Sequence, residues 1–231
     1  ENICDQKSRR MTLRWSIAAS IILLIGLFVG RTINDVRDMH EEQLLTKSVM
    51  QPGTSKAILM MANGEKVVLD QEQKLDIQLN ERVRVASSGQ GIVYEGNGKG
   101  EVKEEYNKLV TPTGGEYFLT LSDGTRVFLN AASELKYPVE FVGGKRVVDL
   151  DGEAYFEVRK DSLRPFIVRV NGAEVTVLGT SFNVNTYGDD GQIYTTLVNG
   201  SVRILSEKNG QEEVLTPGMQ GVMNIQTGQL T

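Results

Sequence analysis

The amino-acid sequence predicts an all-β domain, sandwich-like or built of irregular coiled sheets, preceded by one transmembrane α-helix. Three observations carry this: a single unbroken apolar run near the N-terminus, short β-rich runs separated by turn dipeptides from residue 52 onward, and a hairpin pattern that occurs twice. With 231 residues, 40% hydrophobic and 24% charged, the chain has an ordinary globular composition and can bury one or two cores.

The apolar run is Trp15 to Val29 (WSIAASIILLIGLFV). With Gly30 to Ile33 it reaches about 19 residues, which at roughly 1.5 Å per residue is enough to cross a bilayer core. A buried core helix would carry a polar face at 3.6-residue spacing. Here Ser16 and Ser20 are the polar positions inside the run, and both can bond their own helix backbone. Lys7, Arg9, Arg10 and Arg14 precede the run, whereas Arg31 and Arg37 on the far side are mixed with Asp35, Asp38, Glu41 and Glu42. The positive-inside rule therefore puts the N-terminus in the cytoplasm and the all-β domain outside it, an extracytoplasmic domain on a single-pass anchor in contact with membrane lipid. A cleaved signal peptide would need a small-residue cleavage site after Val29, and none follows.

The expected organisation is a cytoplasmic remnant at 1–14, the transmembrane helix at 15–33, a polar juxtamembrane linker at 34–51 and the β-domain at 52–231. The chain opens at Glu1 and stops on a Gln-Thr-Gly-Gln-Leu-Thr turn, so it reads as a segment of something longer.

After Pro52 the turn signals Asn63-Gly64, Gly96 to Gly100, Asp123-Gly124, Gly143-Gly144, Asn171-Gly172, Gly188 to Gly191 and Asn209-Gly210 divide runs rich in Val, Ile, Leu, Phe and Tyr. Alternation in Val127 and Leu129, in Phe156 and Val158 against Tyr155 and Glu157, and in Val175 and Val177 against Thr176 and Leu178 predicts strands with one buried face. The stretch PGTSKAILMMANGEKVVLD (52–70) lines up with PTGGEYFLTLSDGTRVFLN (112–130): Pro, Leu, Gly, Val and Leu coincide at 52 and 112, 59 and 119, 64 and 124, 67 and 127, and 69 and 129. Each copy is a strand entering an Asn-Gly or Asp-Gly turn and a strand leaving it, so two related hairpins are expected. The predicted core is Leu119, Leu121, Val127, Leu129, Phe156, Val158, Phe166, Val168, Val177 and Phe182.

Several chemistries are disfavoured. A net charge of -5 with both signs interspersed argues against a nucleic-acid partner. Cys4 is the one cysteine and His40 the one histidine, which excludes an intramolecular disulfide or a cysteine zinc cluster and makes a poor metal site, so no metal or cofactor is expected. In Glu95 to Gly100 (EGNGKG), Lys99 is followed by Gly100 and not by the Ser or Thr of a phosphate-binding loop. Asp149, Asp151, Glu153 and Glu157 crowd into VVDLDGEAYFEV; in one extended strand they would share a face, and the solvated rim of a sheet suits them better than acid–base catalysis or a calcium loop. Backbone chemistry is conceivable at Gly179-Thr180 in VTVLGTSFNV: in a strained peptide the Thr180 hydroxyl can attack the Gly179 carbonyl in an N-to-O acyl shift. A Gly-Thr pair also suits a bulge or a turn.

Taken together, LTLSDGTRVFLNAASELKYP (119–138), VVDLDGEAYFEVRKD (147–161), Pro165-Phe166, VTVLGTSFNVNTY (175–187) and TTLVNGSVRI (195–204) resemble the extracytoplasmic domain of the FecR family of transmembrane anti-sigma regulators, in the form found in Bacteroides-type bacteria. The resemblance is strongest over Thr111 to Leu205 and extends over roughly 52–222. It implies a protein of the inner membrane, N-terminus in the cytoplasm and C-terminal domain in the periplasm. Its partners would be an extracytoplasmic-function sigma factor on the cytoplasmic side and a TonB-dependent outer-membrane transducer on the periplasmic side. It also implies regulated proteolysis, with a first self-cleavage at a Gly-Thr pair matching Gly179-Thr180, and otherwise no enzymatic activity. Two parts that the resemblance implies, a sigma-binding segment before residue 14 and a small signalling subdomain after Thr231, are not contained in residues 1–231, as expected of a trimmed chain.

Sheet edges near Val175 to Asn185 and Thr195 to Ile204 are expected to accept a partner's strand, with Val175, Val177, Thr195, Leu197 and Val202 as contact residues. The main alternative function is a membrane-tethered carbohydrate-binding β-sandwich, which would need exposed aromatic residues on a sheet face. With 6% aromatic residues and the one Trp in the membrane segment, little sugar stacking is expected. A membrane-anchored glycosidase using the 149–157 carboxylates ranks last, because the loops look too short to build a cleft.

Overall fold

The computed structural model describes residues 54–70, 74–88, 91–96, 104–188 and 190–231. The expected cytoplasmic remnant, membrane span and linker, with Cys4 and His40, lie outside the described residues, as do residues 97–100 of the Gly-rich loop. Those described belong to one compact unit, Pro52–Thr231.

Nineteen strands and no α-helix occur among the described residues. The first seven are β1 (Thr54–Ser55), β2 (Ala57–Met60), β3 (Lys66–Leu69), β4 (Asp76–Gln78), β5 (Val83–Ser88), β6 (Gly91–Gly96) and β7 (Tyr106–Val110). The centre holds β8 (Gly115–Thr120), β9 (Arg126–Leu129), β10 (Glu134–Pro138), β11 (Arg146–Asp151), β12 (Glu153–Glu157) and β13 (Phe166–Val170). The last six are β14 (Ala173–Val177), β15 (Ser181–Asn185), β16 (Gln192–Asn199), β17 (Val202–Ser206), β18 (Glu212–Leu215) and β19 (Gln220–Asn224).

They form two sheets, ordered β19-β16-β15-β12-β9-β8-β6-β5-β4, with β1 added beside β8, and β18-β17-β14-β13-β11-β10-β7-β2-β3. Chain order and spatial order run together across both sheets, apart from β1 beside β8 and from β2, which lies inside β3. The chain lays a hairpin or a strand in one sheet, crosses, lays the next in the other, and returns beside the earlier one. Thus β11 and β13 pair in parallel while β12 lies in the opposite sheet, and β6 pairs in parallel with β8 while β7 lies opposite. This winding is the irregular coil of sheets the turn spacing suggested.

All ten residues expected in the core are buried. The two sheets share that core: Phe156 of β12 and Phe166 of β13 approach with ring centroids 6.1 Å apart, and Tyr94 of β6 meets Tyr137 of β10 edge to face at 5.4 Å. The two phenol oxygens are 3.0 Å apart, and the Asn107 side-chain amide donates to Tyr94 Oη at 2.6 Å, so the buried hydroxyls are satisfied. Burial pushes the Tyr94 phenol up to about 12.

The repeated hairpin is real. In β2–β3 the Met61 amide donates to Glu65 O and Gly64 to Met61 O, both at 2.9 Å; in β8–β9 Leu121 donates to Thr125 O and Gly124 to Leu121 O, again both at 2.9 Å. Asn63 Oδ1 and Asp123 Oδ1 accept equivalent amide hydrogens from Glu65 and Thr125. Asn-Gly and Asp-Gly thus build the same turn, and the two copies lie in opposite sheets.

One expected strand proves to be two. Asp149 and Asp151 belong to β11 and Glu153 and Glu157 to β12, in different sheets, because the chain crosses at Gly152. There φ is +101°, and a Cβ would lie 2.3 Å from Ser133 Oγ, so only glycine fits. The four carboxylates therefore do not share one face, only two and two: Asp149 pairs with Arg169 at 2.8 Å in one sheet and Glu157 with Arg126 in the other.

The predicted edges also need correction. β14 lies between β13 and β17, β15 between β12 and β16, β16 between β15 and β19, and β17 between β14 and β18. Val175, Val177, Thr195, Leu197 and Val202 are all at most 2% exposed. Each later hairpin pairs onto the preceding one in its own sheet, which turns every strand of this region except the last in each sheet into an interior strand. Even β19 is flanked in part, since Val222 and Thr231 exchange backbone hydrogen bonds at 2.8 and 3.0 Å.

Candidate functional site

Two places at the surface combine unusual geometry with reactive or exposed groups. The first is Gly179-Thr180, in the link that carries the chain from β14 in one sheet to β15 in the other. Leu178 O accepts the Asp161 amide at 2.8 Å and Thr180 O accepts that of Val158 at 3.0 Å, so the peptide is gripped from both sides by the segment 158–161. A Cβ on Gly179 would lie 2.6 Å from Lys160 Cα, while its φ lies outside the left-handed region. Close backbone approach, not a twisted backbone, demands glycine here. Thr180 is buried at 5% exposure, and its Oγ1 donates to Ser201 O at 3.0 Å. Beside it opens a groove of about 440 Å³ whose walls include Ser162, Leu178, Ser201 and Val214. The hydroxyl thus follows the Gly179 carbonyl directly and is held by a fixed acceptor.

The second place went unnoticed in the sequence. On the outer face of the sheet containing β8, β9, β12 and β15, cross-strand register aligns Phe118, Phe128, Tyr155 and Asn183 in one row. The Phe118 and Phe128 centroids are 4.9 Å apart and those of Phe128 and Tyr155 5.9 Å, with Phe128 42% exposed. Next to the rings Glu153 is held by two carboxamides: Asn130 Nδ2 donates to Oε2 at 2.7 Å and Asn183 Nδ2 to Oε1 at 2.8 Å. Rings and carboxylate line an open cleft of about 420 Å³, with Ser55 and Glu116 at its rim. A signal was present, since each ring is an apolar residue at the wrong phase of its strand: Phe118 beside Tyr117 and Leu119, Phe128 between Val127 and Leu129, Tyr155 between Ala154 and Phe156. That they converge depends on register across β8, β9 and β12, which periodicity does not supply.

The residues expected to contact a partner are buried within interior strands, so neither place includes them. Asp149 and Asp151 lie in the sheet opposite the cleft, and of the four carboxylates only Glu153 lines it.

Comparison with known proteins follows the same residues. The sequence model of the FecR protein family matches residues 107–203, from β7 into β17, a stretch that contains the Gly179-Thr180 link and most of the aromatic cleft. Two crystal structures of a candidate anti-sigma factor from Parabacteroides distasonis, at 1.65 and 2.50 Å resolution, are each 36% identical to this chain. They superpose with TM-scores of 0.51 and 0.52 over 54% and 55% of it. The chain spans 57% and 58% of the length of those two proteins. No curated protein matches it. Through residues 107–203 the chain is similar to the FecR protein family.

Proposed function

We propose that this chain is an anti-sigma regulator of the inner membrane, which holds an extracytoplasmic-function sigma factor on the cytoplasmic side and receives a signal from a TonB-dependent transducer in the periplasm. The observation that carries the reading is the 36% identity, over about half the chain, to solved structures described as a candidate anti-sigma factor. The apolar run at 15–33 and its flanking charges support the membrane topology. A partner that binds a rigid sensor domain on one side of a bilayer can alter affinity on the other only through differential binding free energy, and a single helix carrying a large folded domain is suited to that coupling.

The reading includes one covalent step. Thr180 Oγ attacks the Gly179 carbonyl carbon, the Gly179–Thr180 C–N bond breaks, and the hydroxyl proton ends on the freed Thr180 amine. The resulting ester is hydrolysed by water to a Gly179 carboxylate and the Thr180 hydroxyl. No cofactor is required. Strand pairing of β12 with β15 and of β14 with β17 runs across the break, so the two fragments would remain one folded body.

Intact mass and denaturing gels of the full-length protein from a protease-poor host test this step, with Thr180→Ala and Gly179→Ala alongside. Two fragments meeting at 179/180 in the wild type alone are expected; one intact species throughout removes self-cleavage from the reading. Purification of the full-length membrane protein from its native membranes, with mass spectrometry of what accompanies it, tests the partner: an enriched sigma subunit is expected, and its absence sinks the anti-sigma assignment.

A further inference from the structure

The cleft on the outer face of β8, β9, β12 and β15 is not used by the chemistry at Gly179-Thr180. Its walls combine two kinds of group. Phe118, Phe128 and Tyr155 offer three neighbouring rings with centroid spacings of 4.9 and 5.9 Å, tilted by 51° and 50° to one another, and Glu116 and Glu153 offer two carboxylates. No lysine or arginine lines it among the described residues. Several acids elsewhere on the sheets pair with bases: Glu157 with Arg126, Asp149 with Arg169, Glu134 with Lys108 and Glu212 with Arg203. Glu153 is instead tied to the neutral amides of Asn130 and Asn183, which orient both of its oxygens without cancelling its charge. A carboxylate oxygen has two acceptor positions, so each Glu153 oxygen retains one after accepting its amide.

Fixed negative charge beside exposed aromatic faces is complementary to a planar cation. We propose that this cleft is a binding site for an arginine side chain presented by a partner polypeptide, the guanidinium stacking on one of the Phe128 and Tyr155 rings against the edge of the other and donating to Glu153. The volume of about 420 Å³ is in the range of sites for one compact ligand group. Arginine fits better than lysine because its flat guanidinium can stack and fork to a carboxylate at once, whereas an ammonium is a strongly hydrated point charge. The site goes beyond the regulatory reading and stands or falls apart from it, since it is defined by a direct binding measurement.

The test is an NMR titration of the full chain in nanodiscs, with labelled phenylalanine and tyrosine rings, using three probes: N-acetyl-arginine amide, the neutral isostere N-acetyl-citrulline amide, and cellobiose. Saturable shifts of the Phe128 and Tyr155 rings with the arginine probe are expected, with binding weakened about tenfold or more for citrulline and in Glu153→Gln. Phe128→Leu keeps an apolar surface but removes the π face, and it too is expected to weaken binding severalfold with the protein still folded. Equal affinity for arginine and citrulline, shifts with cellobiose alone, no shift with any probe, or full binding by a folded Glu153→Gln would each overturn the proposal.

Discussion

Deleting the carboxylate of Asp123 should be among the most damaging single changes in this domain. Its partner Arg146 is 1% exposed at the side chain and Asp123 4%, and they meet at 2.7 Å. The guanidinium also donates to Arg159 O and to Arg164 O, both at 2.9 Å, and lies over the Phe166 ring at 5.5 Å. The pair therefore joins the β8–β9 turn to β11 and to the 159–164 loop. Truncating one member of such a pair leaves an uncompensated buried charge, which typically costs about 3–5 kcal/mol. Asp123→Ala also removes the acceptor for the Thr125 amide at 2.9 Å and hydroxyl at 2.7 Å, adding about 1 kcal/mol. For a domain of this size 1 kcal/mol moves Tm by roughly 2–4 °C, so a fall on the order of 10–20 °C is expected in thermal unfolding followed by circular dichroism. Asp123→Asn preserves the turn acceptor and isolates the charge. Combined with Arg146→Met, it should cost less than the two single changes added together, with a coupling of about 1–3 kcal/mol. Additive single and double variants, or an Asp123→Asn loss below about 1 kcal/mol, would show that the buried pair does not hold these elements together.

Two other perturbations follow from the same structure. Gly152→Ala forces a Cβ into the left-handed region and to within 2.3 Å of Ser133 Oγ, whereas Gly64→Ala meets the backbone term alone, with no atom within 4 Å. Urea midpoints should show Gly152→Ala losing at least about 2 kcal/mol and more than Gly64→Ala, and equal losses would mean the sheet crossing tolerates a side chain. Glu140 is held below its ordinary carboxylate range by the hydrogen bond from Arg82, which donates at 2.7 Å. A depressed folded-state pKa stabilises the fold above the unfolded value near 4.5, and this is lost as pH falls through the folded value. The stability gap between wild type and Glu140→Gln should therefore be widest near neutrality and close below about pH 4.5; a gap that is the same at pH 7 and pH 3 would contradict it.

Much of the fold was legible because local rules decide it. The hairpin turn at Asp123-Gly124 needs a side-chain acceptor and a residue tolerant of positive φ, and both are written in the dipeptide. Leu119, Val127, Phe156 and Phe182 alternate with polar or exposed neighbours, so the buried face could be read directly. What could not be read was which sheet each strand joins. VVDLDGEAYFEV has unbroken strand character by composition, and its break at Gly152 is imposed by packing against Ser133, a tertiary contact. The same blindness produced the wrong edges: Val175 to Asn185 reads as pairing-competent strand, and whether a partner or the next hairpin occupies that edge depends on the alternation of hairpins between sheets.

The two surface places were unequally legible for a related reason. Gly179-Thr180 depends on adjacent residues, so a hydroxyl next to a glycyl carbonyl is visible in sequence, though the grip of Val158 and Asp161 on either side is not. The aromatic cleft depends on residues from 118 to 183 brought together by four neighbouring strands. Its signature is negative: apolar rings where strand periodicity calls for polar ones. In a two-layer fold wound by alternation, every strand already spends its in-phase residues on the shared core. Large apolar residues at the opposite phase add nothing to that core and expose area to water, at about 25 cal/mol per Å². One such residue is unremarkable on a protein surface. Three in register beside an orientated carboxylate form a patch that folding alone does not require, and this is the physical ground for assigning that face to binding.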